Sequence, residues 1–132
     1  MKFKEIKIKK ENLDNYYEMV IDILYTMQGI KLTGIQREIL IAGIKVLKEH
    51  NDNKNLFLGI YRKKVAEIAK GRNGKSLKEP SLAAALKLMR EQDILPDEGL
   101  HIPLQLLAKD QDSQFFIPIS IILKEGESND VL

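Results

Sequence analysis

Cysteine and tryptophan are absent from this 132-residue chain, histidine occurs only twice, and proline four times. The first absence excludes disulfides and thiolate metal ligands, so the fold depends on its core, and a cytosolic or virion location fits. His50 and His101 have no second histidine or acidic cluster at ligand spacing, which leaves no metal site to nominate. No apolar run approaches the length of a membrane span, and the opening MKFKEIKIKK lacks the apolar segment of a standard secretion signal. The expectation is a protein neither secreted by that route nor embedded in a bilayer. A large excess of one charge is missing too. Lys and Arg total 21 against 19 Asp and Glu, a formal +2, which is modest for a strongly electrostatic DNA binder.

What is present suits one globular domain. A hydrophobic fraction of 44% and a charged fraction of 30% are those of a folded soluble chain, and the length supports one core rather than two. Ile6 and Ile8 alternate with Lys7 and Lys9, which reads as a short strand whose lysines discourage edge pairing, with a DNA-binding arm as the alternative. Asn12 is an N-cap candidate for a helix to about Gln28, with Leu13, Tyr17, Val20, Leu24 and Met27 on one stripe and Gly29 as its stop. Tyr16, Ile21 and Tyr25 lie off that stripe and widen the apolar surface, either deeper into the core or toward a partner.

Thr33-Gly34-Ile35-Gln36 has the form of a capping box and starts a second helix. From Ile35 to Leu47 that helix is apolar nearly all round, so it should be central and buried, with Gly43 permitting a close helix crossing. His50 near its end reads as a surface residue compatible with the helix dipole. Leu56 to Tyr61 is too short to separate a strand from a lead into the next helix.

Val65 to Leu95 reads as two helices and a basic connection. Val65, Ile68 and Ala69 give the first a short apolar face, and Gly71 stops it. Leu82, Leu86 and Met89 form the apolar face of the second, which starts near Pro80 and stops at Asp93 and Pro96. Gly71-Arg72-Asn73-Gly74-Lys75-Ser76 looks like a phosphate loop, but a Walker A element needs glycine where this chain has Ala69. The two glycines therefore read as turn residues with positive φ. Leu100 to Leu107 and Phe115 to Leu123 read as two strands around the polar turn Lys109-Asp110-Gln111-Asp112-Ser113, with Pro103 and Pro118 at edges or bulges and His101 a half-buried strand residue.

This order, with Leu32-Thr33-x-x-Gln36-x-x-Ile39-Leu40 opening a helix, resembles a winged helix-turn-helix domain over about 32–123. The N-terminal strand and long helix, and the Arg62-Lys63-Lys64-Val65 lead-in, also resemble small winged-helix proteins of tailed phages, some of which serve as ring or neck subunits of virions. The resemblance implies an α+β fold in one domain, 1–132. Residues 1–31 would be a strand and helix extension, 32–95 the helical core with its helix-turn-helix, 100–124 a C-terminal β-hairpin wing, and 125–132 a polar tail.

Two functions follow as expectations. The first is a non-enzymatic structural assembly subunit, a homo-oligomer or one bound to neighbouring assembly proteins, in a virion or host cytoplasm. Its interaction surface would use Ile6, Ile8, Tyr16, Tyr25, Phe116 and Ile122. The second is a DNA-binding transcriptional or replication regulator. Arg62, Lys63, Lys64, Lys70, Arg72, Lys75, Lys78, Lys87 and Arg90 could then contact phosphates, or they are simply the solvated faces of a Lys-rich protein. The second helix of the pair is poor in base-reading side chains, since its first turns are Ser81-Leu82-Ala83-Ala84-Ala85, and Asp110 and Asp112 would put carboxylates at a wing tip. No catalytic constellation, cofactor or small-molecule substrate is expected.

Overall fold

Thr33 sits in extended backbone and its hydroxyl accepts from the Gln36 N–H at 3.2 Å, while the Gln36 side chain accepts from the Thr33 N–H at 3.0 Å. This reciprocal cap starts the helix on which the others are assembled. A computed structural model describes residues 13–71 and 73–109, and its elements in order are α1 (Leu13–Met27), α2 (Gly34–His50), α3 (Gly59–Ile68), α4 (Glu79–Glu91) and α5 (Ile102–Lys109). α2 packs against each of the other four helices. Its Ile39, Leu40, Ala42, Ile44 and Val46 are wholly buried, as its all-round apolar sequence requires. Burying each large aliphatic side chain stabilises by about 1.5–3 kcal/mol, so this one helix is the main hydrophobic contributor.

The helix ends follow local chemistry. α1 closes with Gly29 at φ +75, the Ile30 N–H donating to Tyr25 O and the Gly29 N–H to Thr26 O, both at 2.9 Å. α4 closes the same way with Asp93 at φ +59, through Ile94 N–H to Met89 O at 2.9 Å and Asp93 N–H to Arg90 O at 3.2 Å. A short polar side chain tolerates the left-handed position that glycine would fill at no cost. The close approach expected at Gly43 is made by side chains rather than by a crossing helix. A Cβ there would lie 3.3 Å from the Phe57 ring and 3.4 Å from Leu100 Cδ2.

The expected α+β fold with a wing is overturned. Leu100 to Leu107, read as the first wing strand, contributes α5 instead, and no strand occurs among the described residues. Their only β feature is an isolated antiparallel bridge, Lys70 to Ser76. The run 100–107 has apolar residues at both strand and helix spacings. Burial selects the helix: Pro103, Leu104, Leu107 and Ala108 face the core, while Ile102 and Leu106 face out. Pro103, taken as a mark of an edge strand, falls in the first helical turn, where its missing N–H has no intrahelical partner to lose. The second expected strand, 115–123, and the N-terminal strand, 2–9, lie outside the described residues, as do Asn12 and the polar tail.

Candidate functional site

The connection from α3 to α4 is a small closed turn. The Gly71 N–H donates to Lys75 O at 2.8 Å, the Gly74 N–H to Gly71 O at 3.0 Å, and the Lys75 N–H to the Asn73 side chain at 3.0 Å. The Ser76 hydroxyl donates to Glu67 O at 2.6 Å, and the Leu77 N–H is shared between Ala66 O and Ala69 O. Leu77 is half-buried against the core, which anchors the turn. Gly74 has positive φ as expected and Gly71 does not.

Of the nine candidate cations, Lys70, Lys75 and Lys78 are exposed on this turn and its exit, Lys70 facing Ser76 across an isolated bridge. Lys63 is exposed on α3, and Lys87 is exposed nine residues along from Lys78, about 13 Å at helical rise. None of these five lysines is in an ion pair among the described residues. Lys64 is different, donating to His50 Nε2 at 2.8 Å with Glu49 Oε1 at 3.8 Å. His50 thus belongs to the α2–α3 junction, its ring centroid 4.9 Å from that of Tyr61. Arg62 and Arg90 are half-buried, with their Nε atoms enclosed, and Arg72 lies outside the described residues.

The expected interaction residues divide differently. Tyr25 is not on the surface. It is 4% exposed, and its hydroxyl donates to Ile94 O at 2.7 Å; burial pushes that hydroxyl well above its ordinary value of 10.0. Ile21 is fully buried as well, while Met27, assigned to the core stripe, is 53% exposed, and Tyr16 is half-buried. Ile6, Ile8, Phe116 and Ile122 fall outside the described residues.

Other apolar residues face outward instead, Met27 among them although its spacing placed it on the core stripe of α1. Ile23 and Met27 lie four apart on α1, Ile102 (55% exposed) and Leu106 lie four apart on α5, and Leu58 and Ile60 (66% exposed) flank the start of α3. Spacings of four place each of the first two pairs on one helix face. The signal was present as periodic apolar residues in excess of one stripe.

Other features offer little chemistry. A depression of about 480 Å³ between the end of α1 and the start of α2 is lined by Asp22, Tyr25 and Arg37 among others, but Arg37 Nε already donates to Asp22 Oδ1 at 2.8 Å. His101 Nε2 lies 3.1 Å from the Asp93 carbonyl oxygen, a bond that needs the proton on Nε2, and the residue precedes α5 rather than sitting in a strand. Among the described residues no group of His, Asp and Glu could hold a metal ion, and no helix is long and apolar enough to cross a membrane. No protein-family model, curated protein or solved structure matches this chain.

Proposed function

We propose that this chain is a non-enzymatic structural assembly subunit that docks onto copies of itself through apolar side chains turned outward on separate helices. The observation that carries the reading is the pair Ile102 and Leu106 on α5, matched by Ile23 and Met27 on α1. Isolated exposed apolar residues are ordinary, but same-face pairs on two helices form patches that cost solubility unless covered. Two different patches suit a head-to-tail contact, in which one surface meets another and the repeat closes into a ring. A ring or neck of a tailed-phage virion is the assembly suggested by the long helix α1 ahead of the Leu32-Thr33 helix and by the Arg62-Lys63-Lys64-Val65 run of α3. In that setting the protein works in the virion or host cytoplasm.

A regulator that reads sequence through α4 is less well supported. The helix turns Pro80, Ala84, Lys87 and Glu91 toward solvent, with Ser81 and Leu88 beside them. Base edges are recognised by Arg, Asn, Gln and similar side chains near the start of such a helix, and only Ser81 is there.

Light-scattering mass after size exclusion tests the proposal. Wild type should run as an oligomer whose mass rises with concentration. The Ile102→Glu/Leu106→Glu and Ile23→Glu/Met27→Glu variants, both on exposed positions, should each shift it to smaller species with unchanged helicity. A monomer at the highest soluble concentration, unaltered by either variant, would sink the reading.

A further inference from the structure

We infer that the α3–α4 turn, presenting Lys70, Lys75 and Lys78, binds the phosphate backbone of duplex nucleic acid without reading its sequence. The first support is charge segregation. Between Arg62 and Lys78 the chain carries seven cations and one acid, Glu67, a net of +6, which leaves −4 for the rest of a chain whose formal total is +2. The modest overall charge therefore conceals a basic stretch seventeen residues long, of which Lys63, Lys70, Lys75 and Lys78 are exposed and outside any ion pair among the described residues. Such a stretch raises the local concentration of a polyanion even when the whole protein is nearly neutral.

The second support is that the cations are unspent. Arg37 and Lys45 are paired to Asp22 and Asp14 on α1, and Lys64 to Glu49, whereas Lys63, Lys70, Lys75 and Lys78 have no ion pair among the described residues. The acids nearest in sequence, Glu67 on α3 and Glu79 in the first turn of α4, are not bonded to them. Placing these lysines on phosphates breaks no ion pair among the described residues and releases the counterions condensed on the duplex.

The third support is presentation. Across the Lys70–Ser76 bridge the Cα atoms are about 5 Å apart, and the Gly71 N–H to Lys75 O bond closes the same turn, so Lys70 and Lys75 stand on its two facing arms with Lys78 at its exit. The turn's own hydrogen bonds fix that arrangement, so binding orders side chains rather than backbone. Exposed Asn73 and Ser81 add neutral donors of the type that accompany phosphate contacts.

An acidic protein is the competing ligand, and the composition argues against it. Lysine is depleted at protein–protein interfaces, which need apolar or aromatic anchors, and none of the exposed large apolar residues lies on the turn itself, between Lys70 and Lys78. A uniform phosphate rod suits flexible point charges that impose no register. The inference stands apart from the assembly reading, because the turn shares no residue with the apolar pairs on α1 and α5.

The test is fluorescence anisotropy of the full chain with two unrelated duplex DNAs of equal length, with polyglutamate as the second probe, between 50 and 200 mM salt. Wild type should bind both duplexes alike and bind polyglutamate more weakly. Three phosphate contacts predict that wild-type affinity falls about 40-fold more over this salt range than that of Lys70→Ala/Lys75→Ala/Lys78→Ala. The equally charged control Lys31→Ala/Lys48→Ala/Lys109→Ala, also at exposed positions, should keep the wild-type slope. Equal losses in the two triple variants, a wild-type slope retained without the turn lysines, polyglutamate binding as tight as duplex, or strong preference for one duplex would each overturn the inference. Helicity of both triple variants, read by circular dichroism, confirms that the comparison is between folded proteins.

Discussion

The side chain of Asn53 is paired with the backbone of Leu100 in both directions. Its Oδ1 accepts from the Leu100 N–H at 2.8 Å, and its Nδ2 donates to the Leu100 carbonyl at 3.4 Å, where the Gln105 side chain also donates at 2.8 Å. One amide thus stands in for a neighbouring strand and ties the α2–α3 loop to the approach of α5. Leu100 itself is buried, so no water takes over its N–H readily.

Asn53→Ala should lower stability by about 1–3 kcal/mol, the cost of leaving that buried donor unpaired. Asn53→Asp keeps the acceptor but loses the donor, and it should fall between wild type and alanine. Urea unfolding midpoints at constant m-value check the order; an alanine variant as stable as wild type would show that the pairing contributes nothing.

Gly99, next to Leu100, should be the least replaceable glycine of the described chain. It has φ +63, and an added Cβ would overlap the Asn53 carbonyl oxygen and side-chain amide, whereas Gly74 has φ +73 with open space around it. Both alanine variants carry the left-handed backbone cost of about 1–2 kcal/mol. Gly99→Ala should cost clearly more than Gly74→Ala, because backbone and the bonded amide must move as well. Equal thermal midpoints for the two would mean that the crowding relaxes freely.

Tyr25 makes stability sensitive to alkaline pH. Its buried neutral hydroxyl bonds to Ile94 O, and its folded-state value lies above the unfolded 10.0. The stabilisation is complete below pH 10 and is lost as pH rises toward the folded value, because the unfolded chain releases that proton first. Wild type should weaken above about pH 10, and Tyr25→Phe should weaken less steeply while being less stable near neutrality by about 1 kcal/mol. Parallel pH–stability curves for the two proteins would remove Tyr25 as the cause.

Much of the helical scaffold could be read locally because its signals are local. Thr33 and Gln36 meet within one turn, and Gly29 ends α1 without help from distant residues. The sequence by itself also determined where positive charge concentrates and that α2, apolar on nearly every side, must be central.

Tertiary structure decided what had two local solutions. The run from Leu100 to Leu107 satisfies a period of two through Leu100, Ile102 and Leu104, and a helical period through Leu104, Leu107 and Ala108. The Asn53 clamp uses Leu100 as an anchor outside the helix, leaving Ile102 and Leu106 on the outside of α5. The same holds at α1, where the Ile94 carbonyl recruits Tyr25 inward and Met27 is left out. Periodicity marks how much apolar surface a helix has; which part of it meets the core depends on partners dozens of residues away.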